Sequence, residues 1–406
     1  MSKTDKNSPD IKVGIIGLGI ISAIGNSVGE NTKSLFNLTT GIGKISHLNS
    51  KHSKTFPAGE INLSNEQLIE KLNLPKENNY SRTALLGLHA AKEAIINADL
   101  SADELTETAL ISSTTVGGMD MTEKYLKRFS TDNSVQNYLL SHKAADSTNK
   151  IAKELGIMGF STTISTACSS SANAVMLGAK LIKSGKVKRA IVGGTDALSK
   201  FTINGFNSLK ILSEEPCAPF DDNRKGLNLG EGAAYLVLEA TTKDHLSDRQ
   251  LLGYVSGYGN ANDAYHQTAS SENGDGAYLA MRAALKEAQL KATDIDYVNA
   301  HGTATQNNDL SESIALLRLF DKNVPNFSST KSLTGHTLAA AGAIEAVFCI
   351  LALNKQIAPG NLNFLHPITE TKLNPIVKGI PASITNILSN SFGFGGNCTS
   401  LIFSKA

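Results

Sequence analysis

The strongest constraint on the fold is a repeat, because the chain runs twice through the same order of predicted elements. Each half opens with a strand that runs into glycines, at residues 12–18 and 251–257, and a helix follows at 82–98 and 276–289. Each half then has a strand ending in small hydroxyl residues, a further strand, a turn and an apolar helix of small residues. Repeated units of this kind bury their apolar faces against each other. The sequence therefore predicts two duplicated halves.

Alternating strands and helices predict an α/β fold with mixed or parallel sheets that helices cover. The helices at 169–182 and from residue 337 onward are rich in small apolar residues, so we expect them to pack between two sheets. The chain has 406 residues, more than the ~250–300 that one core usually holds. We expect halves at 11–250 and 251–406, with the boundary in the polar stretch 241–250.

The composition argues against several classes of protein. The formal net charge of +1 is too small for a basic surface field toward nucleic acid or an anionic membrane. The four cysteines are widely spaced without a C-x-x-C pair, which predicts no metal site and suggests a reducing cytoplasm. Residues 1–10 lack the apolar core of a signal peptide, so we expect a disordered tail. The apolar stretch 338–353 contains Glu345 and is shorter than a membrane span, so we expect a buried helix.

Cys168 lies in the run Thr-Ala-Cys-Ser-Ser-Ser, between a predicted strand at 160–165 and a predicted helix at 169–182. The unpaired N–H groups and the dipole of a helix N-terminus favour a thiolate over a thiol. A thiolate at such a turn, surrounded by small residues, can attack a carbonyl group. The alternative is a buried small apolar cysteine, and this segment alone leaves both interpretations open.

Two histidines supply what such a nucleophile needs. His301 directly follows an apolar strand, and His336 lies at the start of a predicted helix. A helix N-terminus disfavours imidazolium, so we expect His336 to be neutral and able to donate a hydrogen bond. Two neutral imidazoles that face one thiolate can hold an enolate or a thioester oxyanion. Either histidine alone would more often be a core residue, but their matching positions at the ends of elements favour a site.

Further polar residues lie close in sequence to these histidines. Lys331 can orient a histidine, or it can pair with Asp309 and Glu312, which share one helical face, and the sequence leaves both roles open. Thr303 and Thr305 alternate along an extended segment, so both hydroxyls can point the same way. These hydroxyls could bind an extended polar chain such as a pantetheine arm. Alternatively, they could only form the local hydrogen bonds of a turn.

A glycine-rich loop at 390–397, Asn-Ser-Phe-Gly-Phe-Gly-Gly-Asn, completes the candidate residues. The N–H of Phe394 can form an oxyanion hole with the N–H of Cys168, and the Phe394 ring can gate a pocket. Such a loop alone usually marks only a turn. Neither Gly117-Gly118 nor Gly17-Leu-Gly19 has the spacing of a phosphate or dinucleotide loop, so we expect no such cofactor.

Together these motifs resemble the β-ketoacyl-acyl-carrier-protein synthases, the elongating branch of the thiolase superfamily, over nearly the whole chain. The landmarks stand in the family's order: Thr166-Ala-Cys-Ser-Ser-Ser, Pro219-Phe-Asp-Asp-Asn-Arg-Lys-Gly with Gly230-Glu-Gly232, Asn299-Ala-His-Gly-Thr-Ala-Thr, Lys331-Ser-Leu-Thr-Gly-His336 and Asn390-Ser-Phe-Gly-Phe-Gly-Gly396. Each motif alone is weak, but five in one order are specific. The resemblance implies a thiolase-like, five-layered αβαβα fold and usually a two-fold homodimer.

The resemblance also implies a reaction. Cys168 would take an acyl chain from a carrier thiol, and a malonyl-carrier thioester would then lose its carboxylate. His301 and His336 would stabilise the resulting enolate, with Lys331 as the supporting charge, while the enolate attacks the acyl group. The product would be a 3-ketoacyl thioester on the acyl carrier protein. The acyl groups would arrive on its phosphopantetheine arm, and no tightly bound cofactor is implied.

Subsidiary positions complete these expectations. The supporting network consists of Asp309, Glu312 and Glu345. The positions that match a structural monovalent cation or water in some relatives are Asn299, Glu345, Ser389 and Asn390. The candidate acyl-pocket or gate residues are Val116, Phe206 and Phe394. The lysines that could meet an acidic carrier protein are Lys124, Lys127 and Lys210.

Two departures from the family's usual residues concern the pathway and not the reaction. The serines after Cys168 and the loop sequence Gly-Gly-Asn-Cys-Thr at 395–399 differ from housekeeping fatty-acid enzymes, which favours a specialised polyketide or polyene pathway. The alternative function is a non-catalytic partner that sets chain length in a synthase heterodimer. The presence of Cys168 and both histidines argues against that role, although the chain could be the active half of such a pair. We expect a cytoplasmic enzyme.

Overall fold

The computed structural model describes residues 11–241 and 249–406 of the chain. The expected tail at 1–10 lies outside the described residues, and so does most of the predicted boundary at 241–250. The extent of the two halves as separate domains therefore stays a prediction.

Strands and helices alternate along the described chain, as the sequence predicts. The strands are β1 (Lys12–Ser22), β2 (Ala109–Ser113), β3 (Ser161–Ile164), β4 (Arg189–Asp196), β5 (Gly232–Thr241), β6 (Gly253–Asn262), β7 (Tyr297–Asn299), β8 (Asn326–Ser328), β9 (Ile357–Ala358), β10 (Ile380–Pro381), β11 (Asn386–Phe392) and β12 (Asn397–Ser404). The helices are α1 (Val28–Phe36), α2 (Asn65–Leu72), α3 (Arg82–Asn97), α4 (Ala102–Glu107), α5 (Met119–Tyr125), α6 (Gln136–Leu139), α7 (Ala144–Glu154), α8 (Ser170–Lys183), α9 (Lys200–Ser208), α10 (Asp275–Ala288), α11 (Gln306–Phe320), α12 (Lys331–Thr334) and α13 (Ala341–Lys355).

The main sheet has the strand order β3-β2-β4-β5-β1-β6-β12-β11-β7-β8. This order is symmetric about its centre, because β3, β2, β4, β5 and β1 correspond in turn to β8, β7, β11, β12 and β6. In both halves the outer strands pair in parallel and the inner strands antiparallel. The pairs Gly14–Tyr254 and Ile15–Gly253 join β1 to β6 at the centre. The strand pairing therefore contains the duplication that the sequence predicts.

Helices cover both faces of each half. The helices α8 and α13 contact each other and strands of both halves, so they form a central layer. The helix α3 covers the opposite face of the first half, and α10, backed by α11, covers the opposite face of the second. The two halves of the main sheet thus form two layers on either side of the central helices. With the covering helices the molecule has five layers, helix, sheet, helix, sheet and helix, as we expected.

Glycines in the first strand of each half allow this close packing. A Cβ atom at Gly19 would clash with the carbonyl oxygen of Ala90 in α3, and a Cβ atom at Gly259 would clash with that of Ala280 in α10. Glycine lets each covering helix lie directly against the strand. The Gly-Leu-Gly motif of β1 therefore has a packing role that is repeated in β6.

The central helix α13 is buried over nearly all of its length. The span Leu338–Lys355 consists of a short 3₁₀ turn and α13, and by length and composition it could cross a membrane. The stretch 338–353, which the sequence pattern delimits, is too short for that, so the helical span is longer than we expected. In the structure 89% of this span is buried. A single such helix is weak evidence for a membrane segment, because the core helix of a globular protein has the same properties. Its place between the sheet layers is the one predicted for it.

Candidate active site

Cys168 lies in a tight junction between β3 and α8, as predicted. The strand ends at Ile164, the helix begins at Ser170, and Ala167 has a φ of 53°, in the left-handed region. Such a backbone costs about 1–2 kcal/mol in a residue other than glycine, and strain of this kind is typical of functional turns. The turn holds Cys168 at the N-terminus of a central helix with only 6% of the residue exposed.

The three serines that follow Cys168 stabilise this junction. The hydroxyls of Ser169 and Ser170 each donate to a carbonyl oxygen three residues earlier, at 2.7 and 2.5 Å. The hydroxyl of Ser171 accepts a hydrogen bond at 2.8 Å from the N–H of Ala343 in α13. The run of serines, one of the departures from the usual family residues, thus satisfies backbone groups at the start of both central helices.

His336 lies directly beside the thiol. Its Nε2 atom is 3.0 Å from the Sγ atom of Cys168. His336 follows Gly335, which has a φ of 71° and ends α12, and its N–H donates to the carbonyl oxygen of Asn228 at 2.7 Å. Its Nδ1 atom is buried and has no hydrogen-bond partner among the described residues. A loop of the second half therefore brings one imidazole to the sulfur of the first.

His301 is oriented by Lys331. The Nζ atom of Lys331 lies 3.3 Å from Nδ1 of His301 and donates to the His301 carbonyl oxygen at 2.6 Å. Because an ammonium group can only donate, Nδ1 accepts and the ring carries its proton on Nε2. The rings of His301 and His336 are nearly perpendicular, at 86°, with centroids 5.4 Å apart. Both rings and the thiol of Cys168 line one cavity.

The buried Lys331 forms its ion pair with Glu345 of α13. The pair with Asp309 and Glu312 that the sequence left open is not formed. Those two carboxylates instead accept backbone N–H groups of the loop 301–304, at 2.8 to 3.1 Å. Burial raises the pKa of both Glu312 and Glu345 to about 7. The predicted supporting network thus consists of two parts, one that holds the lysine and one that shapes the loop carrying His301.

Both histidines are neutral near pH 7. Burial lowers the pKa of His301 and of His336 well below the ordinary value, and the positive charge of Lys331 lowers both further. The neutral state expected for His336 is therefore found, but its cause differs. Desolvation and a nearby cation produce it here, whereas the sequence argument relied on a helix N-terminus.

The thiol of Cys168 departs from the sequence expectation. Burial raises its pKa to about 11, although the charge of Lys331 and the N–H groups of Phe394 and Cys168 act in the opposite direction. The expectation of a resting thiolate is therefore wrong, because the sulfur is too poorly hydrated to ionise at neutral pH. The resting site is a thiol beside a neutral imidazole, and the thiolate forms only as its proton leaves.

A cavity of about 250 Å³ opens in front of the thiol. The expected site residues that line it are Cys168, Phe206, Lys210, His301, Thr303, Thr305, His336 and Phe394. The hydroxyls of Thr303 and Thr305 are 2.9 Å apart, so they face the same way. The ring of Phe394 stacks on Phe206 with centroids 5.8 Å apart. Val116, a candidate pocket residue, does not line this cavity.

The positions that match a cation site are only partly free to bind one. The side-chain atoms of Asn299 and the Oε2 atom of Glu345 are buried and have no hydrogen-bond partner among the described residues. Their oxygens fit a hard cation. The side chain of Asn390 is committed elsewhere, because it donates to Glu312 at 3.0 Å and accepts from Ser400 at 2.8 Å. No group of three His, Cys, Asp or Glu residues in the described chain is arranged as a metal site.

Sequence reasoning missed Asp196, a fully buried carboxylate at the end of β4. It accepts a hydrogen bond from the hydroxyl of Thr114 at 2.5 Å and from the N–H of Ala339, ahead of α13, at 2.9 Å. Burial raises its pKa, and hydrogen bonds from neighbouring hydroxyls and N–H groups oppose this shift. An acidic residue that ends an otherwise apolar strand was the signal available in the sequence.

The chain matches the models of both domains of one protein family, and it also matches a curated protein of similar length. Residues 10–244 match the Beta-ketoacyl synthase, N-terminal domain, and residues 252–365 match the Beta-ketoacyl synthase, C-terminal domain. The chain is 32% identical over 413 residues to the 3-oxoacyl-[acyl-carrier-protein] synthase 2 of Staphylococcus aureus (strain MRSA252), covering 98% of this chain and 99% of that protein.

Solved structures agree with these matches. The ishigamide ketosynthase/chain length factor has a TM-score of 0.92 and 29% identity, covering 98% of this chain and 100% of that one. A ketosynthase from Xenorhabdus doucetiae in complex with its chain length factor has a TM-score of 0.86 and 31% identity, covering 100% of both chains. With a cysteine and two neutral histidines around one cavity in a five-layered fold, the chain belongs to the β-ketoacyl synthase family of the thiolase superfamily.

Proposed function

We propose that Cys168 carries the acyl chain in a decarboxylative condensation with malonyl-acyl carrier protein, and that the product is 3-ketoacyl-acyl carrier protein. The chain is an acyl-transferring condensing enzyme by family. The proposal assigns the steps of that reaction to its residues.

In the first step the Cys168 sulfur attacks the carbonyl carbon of the carrier thioester. A new S–C bond forms, the C–S bond to the pantetheine breaks, and the thiol proton leaves with the pantetheine sulfur. The N–H groups of Phe394 and Cys168, which act to lower the pKa of the thiol, would hold the transient oxyanion.

In the second step malonyl-carrier loses carbon dioxide. The electrons of the breaking C–C bond form the enolate directly, so no base is required. His301 and His336 would then donate Nε2–H groups to the enolate oxygen, and the Lys331 contact keeps the His301 proton on Nε2. The enolate carbon forms a C–C bond to the acyl group while the C–S bond to Cys168 breaks. The released thiolate takes up a proton from solvent, which replaces the one lost in the first step and restores the resting site.

One observation carries this proposal, the joint placement of a thiol and two neutral imidazoles around one cavity. A core histidine has both ring nitrogens satisfied by neighbouring groups. Here Nε2 of His336 contacts only the thiol of Cys168, and Nδ1 of His301 contacts an ammonium group. Both rings thus direct Nε2 toward the cavity, at the position where negative charge develops in the reaction.

The same cavity suggests how the substrates are delivered. We propose that the hydroxyls of Thr303 and Thr305 bind the phosphopantetheine arm, and that Phe394 and Phe206 form a gate between this arm and the acyl pocket. Val116 is proposed as a wall of that pocket beyond the gate. No tightly bound cofactor is proposed, because the carrier's arm delivers the acyl groups.

We further propose an acidic acyl carrier protein as the partner. Lys210 at the cavity supports this proposal, and Lys124 and Lys127 are assigned to the same contact. A structural monovalent cation is proposed near Asn299, Glu345 and Ser389, with Asn390 as a neighbour that binds protein groups instead.

The dimer partner is proposed to be a second copy of the chain or a chain-length-factor-like subunit. The strand β3 lies at the edge of the main sheet and is partly exposed, which supports pairing of another subunit along this edge. The two solved relatives named with a chain length factor favour a specialised polyketide or polyene pathway. We propose a cytoplasmic location and no membrane-spanning segment.

The test is a panel of acyl-carriers of increasing length and unsaturation, each incubated with malonyl-carrier and the purified chain, alone and with any copurifying partner subunit. Ketoacyl product with a clear preference within the panel is expected, and substitution of Cys168 by alanine should remove it. A non-catalytic chain-length subunit would give no product and no acyl adduct with any member of the panel.

A further inference from the structure

Asn397 lies where the glycine-rich loop ends and β12 begins, and its side chain faces the Cys168 junction. Its Oδ1 atom accepts hydrogen bonds from Nδ2 of Asn173 at 2.8 Å and from Nδ2 of Asn260 at 3.0 Å. It also lies 2.7 Å from the hydroxyl of Ser169, whose single proton it shares with the carbonyl oxygen of Thr166 at 2.7 Å. Ser169 and Asn173 belong to the start of α8, whereas Asn260 belongs to β6. One oxygen atom therefore connects the glycine loop, the nucleophile helix and the first strand of the second half.

The loop that Asn397 ends also carries Phe394. The N–H of Gly393 donates to the carbonyl oxygen of Asn397 at 2.9 Å, which closes the loop. A Cβ atom at Gly393 would lie 2.7 Å from the carbonyl oxygen of Thr166 and 3.2 Å from the backbone nitrogen of Cys168. The loop and the nucleophile junction are thus in backbone contact, and a small movement of the loop would displace the N–H of Phe394 from the sulfur.

The glycines after Phe394 have backbone hydrogen bonds within the loop and to residues 263 and 267, but none of these bonds reaches the Cys168 junction. Gly395 and Gly396 both have a positive φ, at 83° and 82°, and a Cβ atom at Gly395 would meet no neighbour. Glycine has more conformational freedom to lose than any other residue. The side chain of Asn397, hydrogen-bonded to Asn173 and Asn260 and in contact with the Ser169 hydroxyl, provides the restraint toward that junction.

We propose that Asn397 is a positioning residue, which fixes the N–H of Phe394 against the Cys168 sulfur by tying the glycine loop to Ser169 and Asn173. The inference rests on the proposed role of Cys168 as the nucleophile. It also gives a reason for two departures from the usual family residues, because the serine after the nucleophile and the asparagine after the glycines bond to each other.

The test compares Asn397→Leu with Asn386→Leu in the full chain. Leucine has the same branching and the same number of side-chain heavy atoms as asparagine but cannot accept a hydrogen bond. Asn386 is a matched control because it lies on the same hairpin of β11 and β12, is also partly buried, and bonds to Ser404 at 2.6 Å and to Asp294 at 2.9 Å. It lies at the opposite end of the hairpin from the site.

Three quantities are measured: the single-turnover rate of Cys168 acylation, kcat, and KM for malonyl-carrier. Asn397→Leu should lower the acylation rate and kcat by about 10- to 100-fold, since a displacement of about 1 Å can cost that much, and KM should change less than about twofold. Asn386→Leu should leave all three near the unsubstituted values. In the double variant Ser169→Ala, Asn397→Leu the two effects should be clearly less than multiplicative, because both changes remove the contact between these side chains.

Equal rates for the two leucine variants would overturn the proposal. A change confined to KM, or fully multiplicative effects of the Ser169 and Asn397 substitutions, would also overturn it. If the unsubstituted chain takes no acyl group on Cys168, the proposed nucleophile itself is wrong and the inference falls with it. That result is read from the unsubstituted chain alone, so the two failures are distinguishable.

Discussion

The two central helices occupy equivalent places in the two halves, but the chain enters them differently. In the first half residues 165–169 lead from β3 to α8 and contain Cys168. In the second half β8 ends at Ser328 and α13 begins at Ala341, with α12 and a 3₁₀ turn between them. This longer connection contains Lys331 and His336. The short junction presents a sulfur, and the long one presents groups that control charge and protons.

The difference shows how one duplicated scaffold can divide a reaction. Burial raises the pKa of the Cys168 thiol to about 11 even in the presence of Lys331, so the sulfur of the first junction rests as a thiol. Burial keeps both imidazoles neutral, and the charge of Lys331 acts in the same direction while it opposes the shift at the sulfur. The second junction thus supplies a positive charge that the first lacks, and we propose that a competent site forms only where the two halves meet.

The largest expected effect comes from removing the sulfur from the short junction. In Cys168→Ala the condensation rate should fall by at least about 10³-fold, because no covalent acyl intermediate can form. Slow loss of carbon dioxide from malonyl-carrier should remain, since the long junction is intact. Ketoacyl product and released carbon dioxide, measured in one assay, separate the two activities. Condensation near the unsubstituted rate would break the proposed division of labour.

The next largest effect comes from the two imidazoles. His301→Ala or His336→Ala should each lower condensation by about 10²–10³-fold, because one donor to the developing oxyanion is lost. Acylation of Cys168 should be less affected, and its single-turnover rate is the companion measurement. His366→Ala, an exposed histidine outside the cavity, is the matched control. Acylation and condensation that fall together would assign the histidines to the first step instead.

A smaller effect, on pH dependence, tests the role of Lys331. Because the pKa values of His301 and His336 are lowered, the neutral donors persist as the pH falls below the ordinary histidine value of about 6.5. Condensation should therefore retain its rate at that pH and decline only in more acidic buffer. In Lys331→Met the histidine pKa values should rise, so the acid limb of the pH–rate profile should move to higher pH. An acid limb at the same pH in both proteins would contradict this role.

The smallest effect concerns delivery of the substrate. Thr303→Val should raise KM for malonyl-carrier by about 5- to 10-fold and leave kcat largely unchanged, because one hydrogen bond to the pantetheine arm is worth about 1 kcal/mol. Ser313→Ala, at a buried hydroxyl without a partner among the described residues, is the control for loss of a hydroxyl group. A fall in kcat with constant KM would place Thr303 in the chemical step.

Much of the fold follows from local patterns in the sequence. The duplicated order, the central helices and the junction at Cys168 were predictable because the periodicity and the small residues are local properties. The predicted strand at 12–18 is shorter than the observed β1, which ends at Ser22, since the glycines that suggested an end instead pack against α3. The pairing of Lys331 with Glu345 was not predictable, because the glutamate lies in a helix whose pattern indicated only an apolar core.

The electrostatic state of the site could not be obtained from the sequence. A helix N-terminus was visible near Cys168, but the burial that outweighs it depends on how the two halves pack. The role of Asn397 was hidden for a similar reason, since its partners Ser169 and Asn173 lie more than two hundred residues away along the chain. Contacts between the halves thus determine what local motifs leave open.

Intact-protein mass spectrometry of a single turnover tests the central claim most directly. The chain is first incubated with one acyl-carrier and then mixed with malonyl-carrier, and each adduct is mapped by peptide digestion. We predict one acyl group on Cys168, which malonyl-carrier removes within a turnover from the unsubstituted chain but not from His301→Ala or His336→Ala. An acyl group on another residue, or equal discharge in all three proteins, would contradict a site shared between a thiol of one half and two imidazoles of the other.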